Sequence, residues 1–213
     1  MYSVYYNEAM KLAVIGANGK TGRVFVRAAL EAGHTVTAAV HRHNSLPNHP
    51  NLVIKTADAT KPADMKSLVN GQDAVISLIG HGLKTPPNVQ TDAIKAIAKA
   101  MTKNQKLVSL TGTGVRQPGD HITIFDSLLN EPLALVMKNM VQDGRNHLVA
   151  LEQSQVDWTV LRALKLTNRQ LHGFHLLTNG PARLFVSRAT VSQAILEVLT
   201  DGSYSRQAPI IGK

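Results

Sequence analysis

Leu12-Ala13-Val14-Ile15-Gly16-Ala17-Asn18-Gly19-Lys20-Thr21-Gly22 is the stretch on which the fold turns. Four apolar residues in a row suit a strand buried on both faces, and three glycines spaced GxxGxxG follow at once. In the continuation to Gly33, Val24, Phe25, Ala28, Ala29 and Ala32 share one face at helical spacing. Arg23, Arg27 and Glu31 occupy the opposite face, a solvated surface with i,i+4 pairing, and Gly33 closes the helix as its C-cap. Thr35-Val36-Thr37-Ala38-Ala39-Val40 is β-branched and short enough for a buried strand. Strand, glycine turn, helix and strand in about thirty residues make a βαβ unit. The start of its helix exposes backbone N–H groups that lack intrahelical acceptors, and such groups bind phosphate. Gly16, Asn18, Gly19, Lys20, Thr21 and Gly22 are therefore the expected contacts of a bound dinucleotide.

Further along, strands and helices keep alternating. Strands are expected at Leu52–Lys55, Asp73–Ile79, Leu107–Thr111 and Val156–Arg162, with a short helix from Pro62 to Val69 that starts on a tolerated proline. A second helix runs from Asn88 to about Lys103, turning Val89, Ala93, Ala96, Ile97 and Ala100 inward and Lys95, Lys99 and Lys103 to solvent. A third extends from about Pro132 to Gln153, and a last one from Ser187 to Thr200. Uniformly apolar strands separated by helices indicate a parallel sheet covered on both faces. The expected fold class is thus α/β, a single Rossmann-type doubly wound parallel sheet with a small irregular substrate-binding region. Residues 1–9 read as an N-terminal extension and 10–213 as one domain. Loops at the carboxyl ends of strands carry ligand contacts in such folds, which points to 112–130 and 163–186 for the substrate.

Composition narrows the function classes. The 213 residues contain no cysteine, which excludes disulfides, thiolate catalysis and Cys-based metal sites and suits a reducing cytoplasm, the expected location. Met1–Glu8 lack the basic start and apolar core expected of a signal peptide, and no later apolar run approaches membrane-spanning length. The formal charge is +9: residues 1–106 carry 13 Lys/Arg against 6 Asp/Glu, and residues 107–213 carry 10 against 8. No basic stretch is interleaved with aromatics, so the composition argues against nucleic acid. A field that attracts an anionic cofactor and substrate accounts for the charge. His41, His43 and His49, or His172 and His175, lack the companion carboxylates and spacing of a metal site, and none is expected.

Position and chemistry together bear on the choice of cofactor. A site preferring NAD places a carboxylate at the end of the second strand to hold the adenosine ribose hydroxyls, whereas this chain has His41-Arg42 there. Arginine attracts a 2′-phosphate that a carboxylate would repel, which favours NADP(H) over NAD(H); an arginine simply exposed in its loop is the alternative. Leu78, Ile79 and Gly80 end the fourth strand, so their backbone should border the cofactor's central ribose; Leu78 and Ile79 also suit a place in the core. His81 follows directly, either as a donor to a substrate carboxylate or phosphate or as a water-exposed loop residue. Trp158 reads as a core anchor under the last strand.

Taken with Val40-His41-Arg42, Gly71-Gln72-Asp73-Ala74-Val75-Ile76, Trp158-Thr159-Val160-Leu161-Arg162 and Ser187-Arg188-Ala189-Thr190-Val191, the opening segment resembles the atypical short-chain dehydrogenase/reductases, in their NmrA-like, flavin reductase-like branch. The resemblance spans nearly the whole chain from Met10. It implies a nicotinamide dinucleotide and a flavin, quinone or tetrapyrrole as hydride acceptor, with FMN or FAD entering as substrate. The implied partner is a small, planar, anionic molecule, and no membrane. It also implies that Asp58 or the adjacent backbone at Ala59 approaches the adenine, although a turn-capping role for Asp58 is equally natural. Two departures stand out. The family's serine near Gly112 is missing, leaving any hydroxyl role to Thr111 or Thr113, and Arg162 is followed by Ala163 instead of proline. Lys165 takes the place of a histidine found near the substrate in a flavin-reductase relative. Standard members protonate a ketone-derived alkoxide through a tyrosine aided by a lysine four residues on; the tyrosines here are Tyr2, Tyr5, Tyr6 and Tyr204, and none heads a YxxxK. A flavin or quinone delocalises the incoming electrons and takes its proton from solvent, so positioning supplies most of the catalysis. The expected function is an NADPH-dependent reductase of such acceptors. The alternative is a non-catalytic NADP(H)-binding redox sensor that engages a regulatory protein partner.

Overall fold

The computed structural model describes residues 8–82, 85–112, 115–120, 137–170 and 173–212. The opening βαβ unit forms as β1 (Lys11–Ile15), α1 (Lys20–Glu31) and β2 (Thr35–Val40). β3 (Leu52–Thr56), α2 (Pro62–Val69), β4 (Ala74–Ser77), α3 (Val89–Ala100), β5 (Lys106–Gly112), α4 (Lys138–Glu152) and β6 (Asp157–Ala163) continue the alternation. Strands 1 to 6 pair in parallel in the order β3-β2-β1-β4-β5-β6. The chain order reverses between β1 and β4, and a doubly wound sheet takes its ligand at the carboxyl ends of the strands on either side of that point.

Alternate residues of each strand point to opposite faces, and this parity divides the core. Leu12, Val14, Val36, Ala38 and Ile76 meet α1 and α5 (Arg188–Thr200) on one face. Ala13, Ile15, Val75, Leu107 and Val160 meet α2, α3 and α4 on the other, with Trp158 buried among them.

Several boundaries differ from expectation. The buried stripe of α1 is Gly22, Phe25, Val26 and Ala29, while Ala32 is exposed. The sheet and α5 lie over the 22/25/26/29 stripe, so Val26 is buried and Val24 only half-buried. In α3 the inward residues are Thr91, Ala93, Ile94, Ala96 and Ile97, and the helix stops at Ala100, leaving Lys103 in the following turn. β4 is confined to four residues, after which Leu78–Gly82 leave the ladder as a loop. The expected start of the third long helix, 132–136, lies outside the described residues. The stretch 163–186 contains β7 (Lys165–Thr167) and β8 (His175–Leu177), and ends within β9 (Phe185–Ser187). β7 and β9 pair in parallel, and β10 (Ile210–Gly212), which no sequence signal announced, extends the main sheet beside β6 and takes β8 antiparallel at the edge. Chain reversals with little periodic pattern hid these three-residue strands.

Candidate dinucleotide-binding site

A cleft of about 730 Å³ opens at the carboxyl ends of β1, β2, β3 and β4, within the range usual for small-molecule sites. Gly16, Asn18 and Gly19 form its floor; His41, Arg42 and His43 close it beyond β2; Ala57, Asp58, Ala59 and Thr60 line it beyond β3; Leu78, Ile79 and Gly80 line it beyond β4. Thr85, Pro86 and Val89, ahead of and within the first turn of α3, complete the wall.

The glycines are required by contact distances. Gly16 has φ +76°, and a Cβ there would stand 2.7 Å from the Leu78 carbonyl oxygen, so a side chain would drive β1 and β4 apart where the ligand enters. At Gly22 a Cβ would fall 2.1 Å from the Gly16 carbonyl oxygen, which shows how closely α1 packs on the strand end. The Gly19 N–H turns back to the Gly16 carbonyl at 3.0 Å. No side chain caps α1, and its first turn contains no acid. Phosphate is the chemistry this backbone would accept. Gly22 is a packing residue in this arrangement, and exposed Lys20 and half-buried Thr21 stand in the first turn of α1 outside the cleft lining.

At the β3 end, the Asp58 carboxylate accepts from the Thr60 backbone N–H at 3.0 Å and from its hydroxyl at 2.8 Å. Those two bonds hold its pKa below the usual carboxylate value, the backbone bond contributing most. Asp58 thus caps its turn and lines the cleft at the same time.

The opposite end is organised by a buried carboxylate that the sequence reading missed. Asp143 of α4 accepts from the backbone N–H groups of Gln90 at 2.9 Å and Thr91 at 3.0 Å, and from the Thr91 hydroxyl at 2.5 Å. It thereby caps α3 from a different helix. Gln90 Nε2 in turn donates to the Ile79 carbonyl at 2.7 Å, tying the cleft wall to α3. His81 is pulled in as well: its side chain is only 10% exposed, and Nε2 lies 2.9 Å from Asp143 Oδ2. That approach lies off the N–H direction, so it is an electrostatic contact and not an aligned hydrogen bond. The water-exposed reading of His81 does not hold.

One turn along α4, His147 Nε2 lies 3.0 Å from the Ser109 hydroxyl of β5. Burial pulls the His147 pKa down to about 4, while the Asp143 carboxylate pushes the other way. Gly144 between them lets α4 close on β5, where an added Cβ would be 2.8 Å from Thr111 Oγ1. Thr111 itself is buried at the end of β5, and Lys165 is exposed, its ammonium 5.4 Å above the Phe185 ring. Neither lines the cleft, and Thr113 lies outside the described residues. Among the described residues no group of three His, Asp or Glu could hold a metal ion, and no helix is long and apolar enough to cross a membrane.

A parallel sheet with a glycine cradle and a cleft at its reversal point defines a Rossmann-type nucleotide-binding protein. Residues 16–202 match the NAD(P)H-binding family, to which this chain belongs. Among solved structures, a candidate NADH-flavin reductase from Streptococcus pneumoniae is 22% identical with a TM-score of 0.79, covering 95% of this chain and 99% of that one. A short-chain dehydrogenase/reductase of Veillonella parvula, solved with NADP, is 16% identical with a TM-score of 0.77 over 96% and 94%. ChuY, an anaerobillin reductase of Escherichia coli O157:H7, is 19% identical with a TM-score of 0.73 over 94% and 96%. At these identities the likeness is one of fold.

Proposed function

We propose that this protein is an NADPH-dependent reductase that passes a hydride from the nicotinamide to a flavin, quinone or similar planar acceptor. The observation that carries the cofactor preference is Arg42 on the cleft wall, with no carboxylate at the end of β2. The glycine loop and the start of α1 would hold the pyrophosphate, the turn at Asp58 and Ala59 would meet the adenine, and Leu78–Gly80 would border the central ribose. The bound dinucleotide supplies the hydride, and the chain's own contribution is to place the acceptor over it.

The acceptor would approach past the carboxyl ends of β5 and β6, beside Thr111 and Lys165. Lys165 over the exposed Phe185 ring offers a cation beside an aromatic face, a pairing suited to a flat anionic molecule. The flavin and anaerobillin reductases named above support this acceptor class. The test is oxidation of NADPH and of NADH, followed by absorbance, with FMN, riboflavin and a quinone as acceptors. Turnover that is faster with NADPH is the expected result. Tight NADPH binding with no turnover on any acceptor would overturn the reductase reading in favour of a non-catalytic NADP(H) sensor, which uses the same cofactor contacts.

A further inference from the structure

Both ends of the Asn18 carboxamide are engaged by the loop that follows β2. Nδ2 donates to the His43 carbonyl at 2.9 Å; Oδ1 accepts from the Ser45 backbone N–H at 3.1 Å and, in a shorter contact, from the Ser45 hydroxyl. Arg23 of α1 reaches the same hydroxyl, Nη1 to Ser45 Oγ at 3.4 Å, its one side-chain hydrogen bond among the described residues. The far end of the loop is fixed differently: Asn44 Oδ1 accepts from the Leu46 N–H at 2.8 Å, and Leu46 is buried in the core. Residues 41–46 belong to no strand or helix, so these side-chain bonds take the place of a ladder. Arg42 sits on the tethered segment, on the cleft wall, and so does His43, whose carbonyl Asn18 holds.

We propose that Asn18 is a positioning residue for dinucleotide selectivity: with Ser45 and Arg23 it latches the loop after β2 to the glycine loop, so that Arg42 is pre-set for the 2′-phosphate. Arg23 brings a second cation to the latched loop, its other guanidinium N–H groups making no hydrogen bond among the described residues. This rests on the reading of Arg42 given above. The physical reason is that a loop already ordered before binding loses less freedom when the ligand arrives, and that gain reaches only a ligand which contacts the loop. NADH has no 2′-phosphate and takes little of it. The specificity residue read from sequence is Arg42, and the structure adds the three side chains that hold it in place.

The test measures dissociation constants for NADPH and NADH, with 2′-AMP and 5′-AMP as fragment probes, in the wild type and in Asn18→Ala, Ser45→Ala, Arg23→Gln and Arg42→Ala. Losing the one to three hydrogen bonds that each of these side chains brings to the latch should weaken NADPH and 2′-AMP by about five- to tenfold, with NADH and 5′-AMP changing by less than about twofold. Combined with Arg42→Ala, the Asn18→Ala loss should shrink, because the loop then carries nothing to position. Equal weakening of both dinucleotides in Asn18→Ala and in Ser45→Ala, or full additivity with Arg42→Ala, would overturn the latch while leaving Arg42 as the reader of the phosphate. A wild type that binds NADPH and NADH equally, with Arg42→Ala changing neither, overturns the Arg42 reading and the latch with it.

Discussion

The two halves of the ligand face are built by opposite means. At the ends of β1, β2 and β3 the wall is formed largely by backbone and glycines without side chains, with the exposed His41, Arg42 and His43 and the turn-capping Asp58. At the ends of β4 and β5 it is braced by buried polar side chains, Asp143 against the start of α3 and His147 against Ser109. A phosphate is recognised by geometry and charge at a surface. A flat acceptor and a nicotinamide need a wall that does not move, and buried hydrogen bonds of this kind are costly to break. The first half is therefore expected to respond to substitutions in affinity, and the second in stability.

The sharpest way to break that contrast is Gly22→Val. With a Cβ 2.1 Å from the Gly16 carbonyl oxygen, α1 must move off β1, costing more than about 4 kcal/mol and abolishing NADPH binding. Calorimetry and titration check this together; NADPH binding within tenfold of wild type would mean that the cradle tolerates displacement. Asp143→Ala comes next. Leaving the start of α3 without its acceptor, and His81 without the carboxylate beside it, should lower unfolding free energy by about 3 kcal/mol in urea melts. Binding of 2′-AMP to the folded fraction should stay near wild type, and a parallel loss of 2′-AMP binding would erase the distinction between the halves.

His147 makes the second half sensitive to acid. Its pKa is about 4 when folded against the ordinary histidine value of 6.5, so the unfolded chain binds the extra proton across that window. Stability from this group is complete above about pH 6.5 and falls by about 3 kcal/mol as the pH drops through 4. Unfolding free energy measured from pH 7 to 4 should fall less steeply in His147→Gln; an unchanged slope would show that other groups govern the acid limb. Arg42→Glu tests the first half and should weaken NADPH by about tenfold to a hundredfold more than NADH, with the melting temperature held. Equal loss for both dinucleotides would leave Arg42 a bystander. The smallest effect is expected for Lys165→Ala, a two- to threefold rise in KM for FMN, about half a kcal/mol, with the Kd for NADPH unchanged.

What sequence revealed follows the reach of its signals. The β1–α1–β2 unit was legible because strand, turn and helix are coded by neighbouring residues, and Gly16 and Gly19 line the cleft where their spacing placed them. Arg42, Asp58 and Leu78–Gly80 line the cleft because each follows closely on a strand end, and strand ends converge in a parallel sheet. The burial of His81 could not be read, since Asp143 is 62 positions away on α4. Nor could the second role of Asn18: a polar residue between glycines looks like a phosphate contact, and only the returning loop at Ser45 shows where its carboxamide goes. β10 escaped because three residues carry no period, and its pairing with β6 and β8 is what makes it a strand.

By itself the sequence determined the parallel α/β sheet, the glycine turn at the end of β1 and the arginine beyond β2, because apolar runs, glycine spacing and residue type act over a few residues. The tertiary structure alone decided which polar side chains find each other across the fold. The Asn18–Ser45 latch and the Asp143 clamp join residues 27 and 52 or 53 positions apart. Such pairs satisfy donors and acceptors that packing has already brought together, and nothing in the local chain specifies the partner.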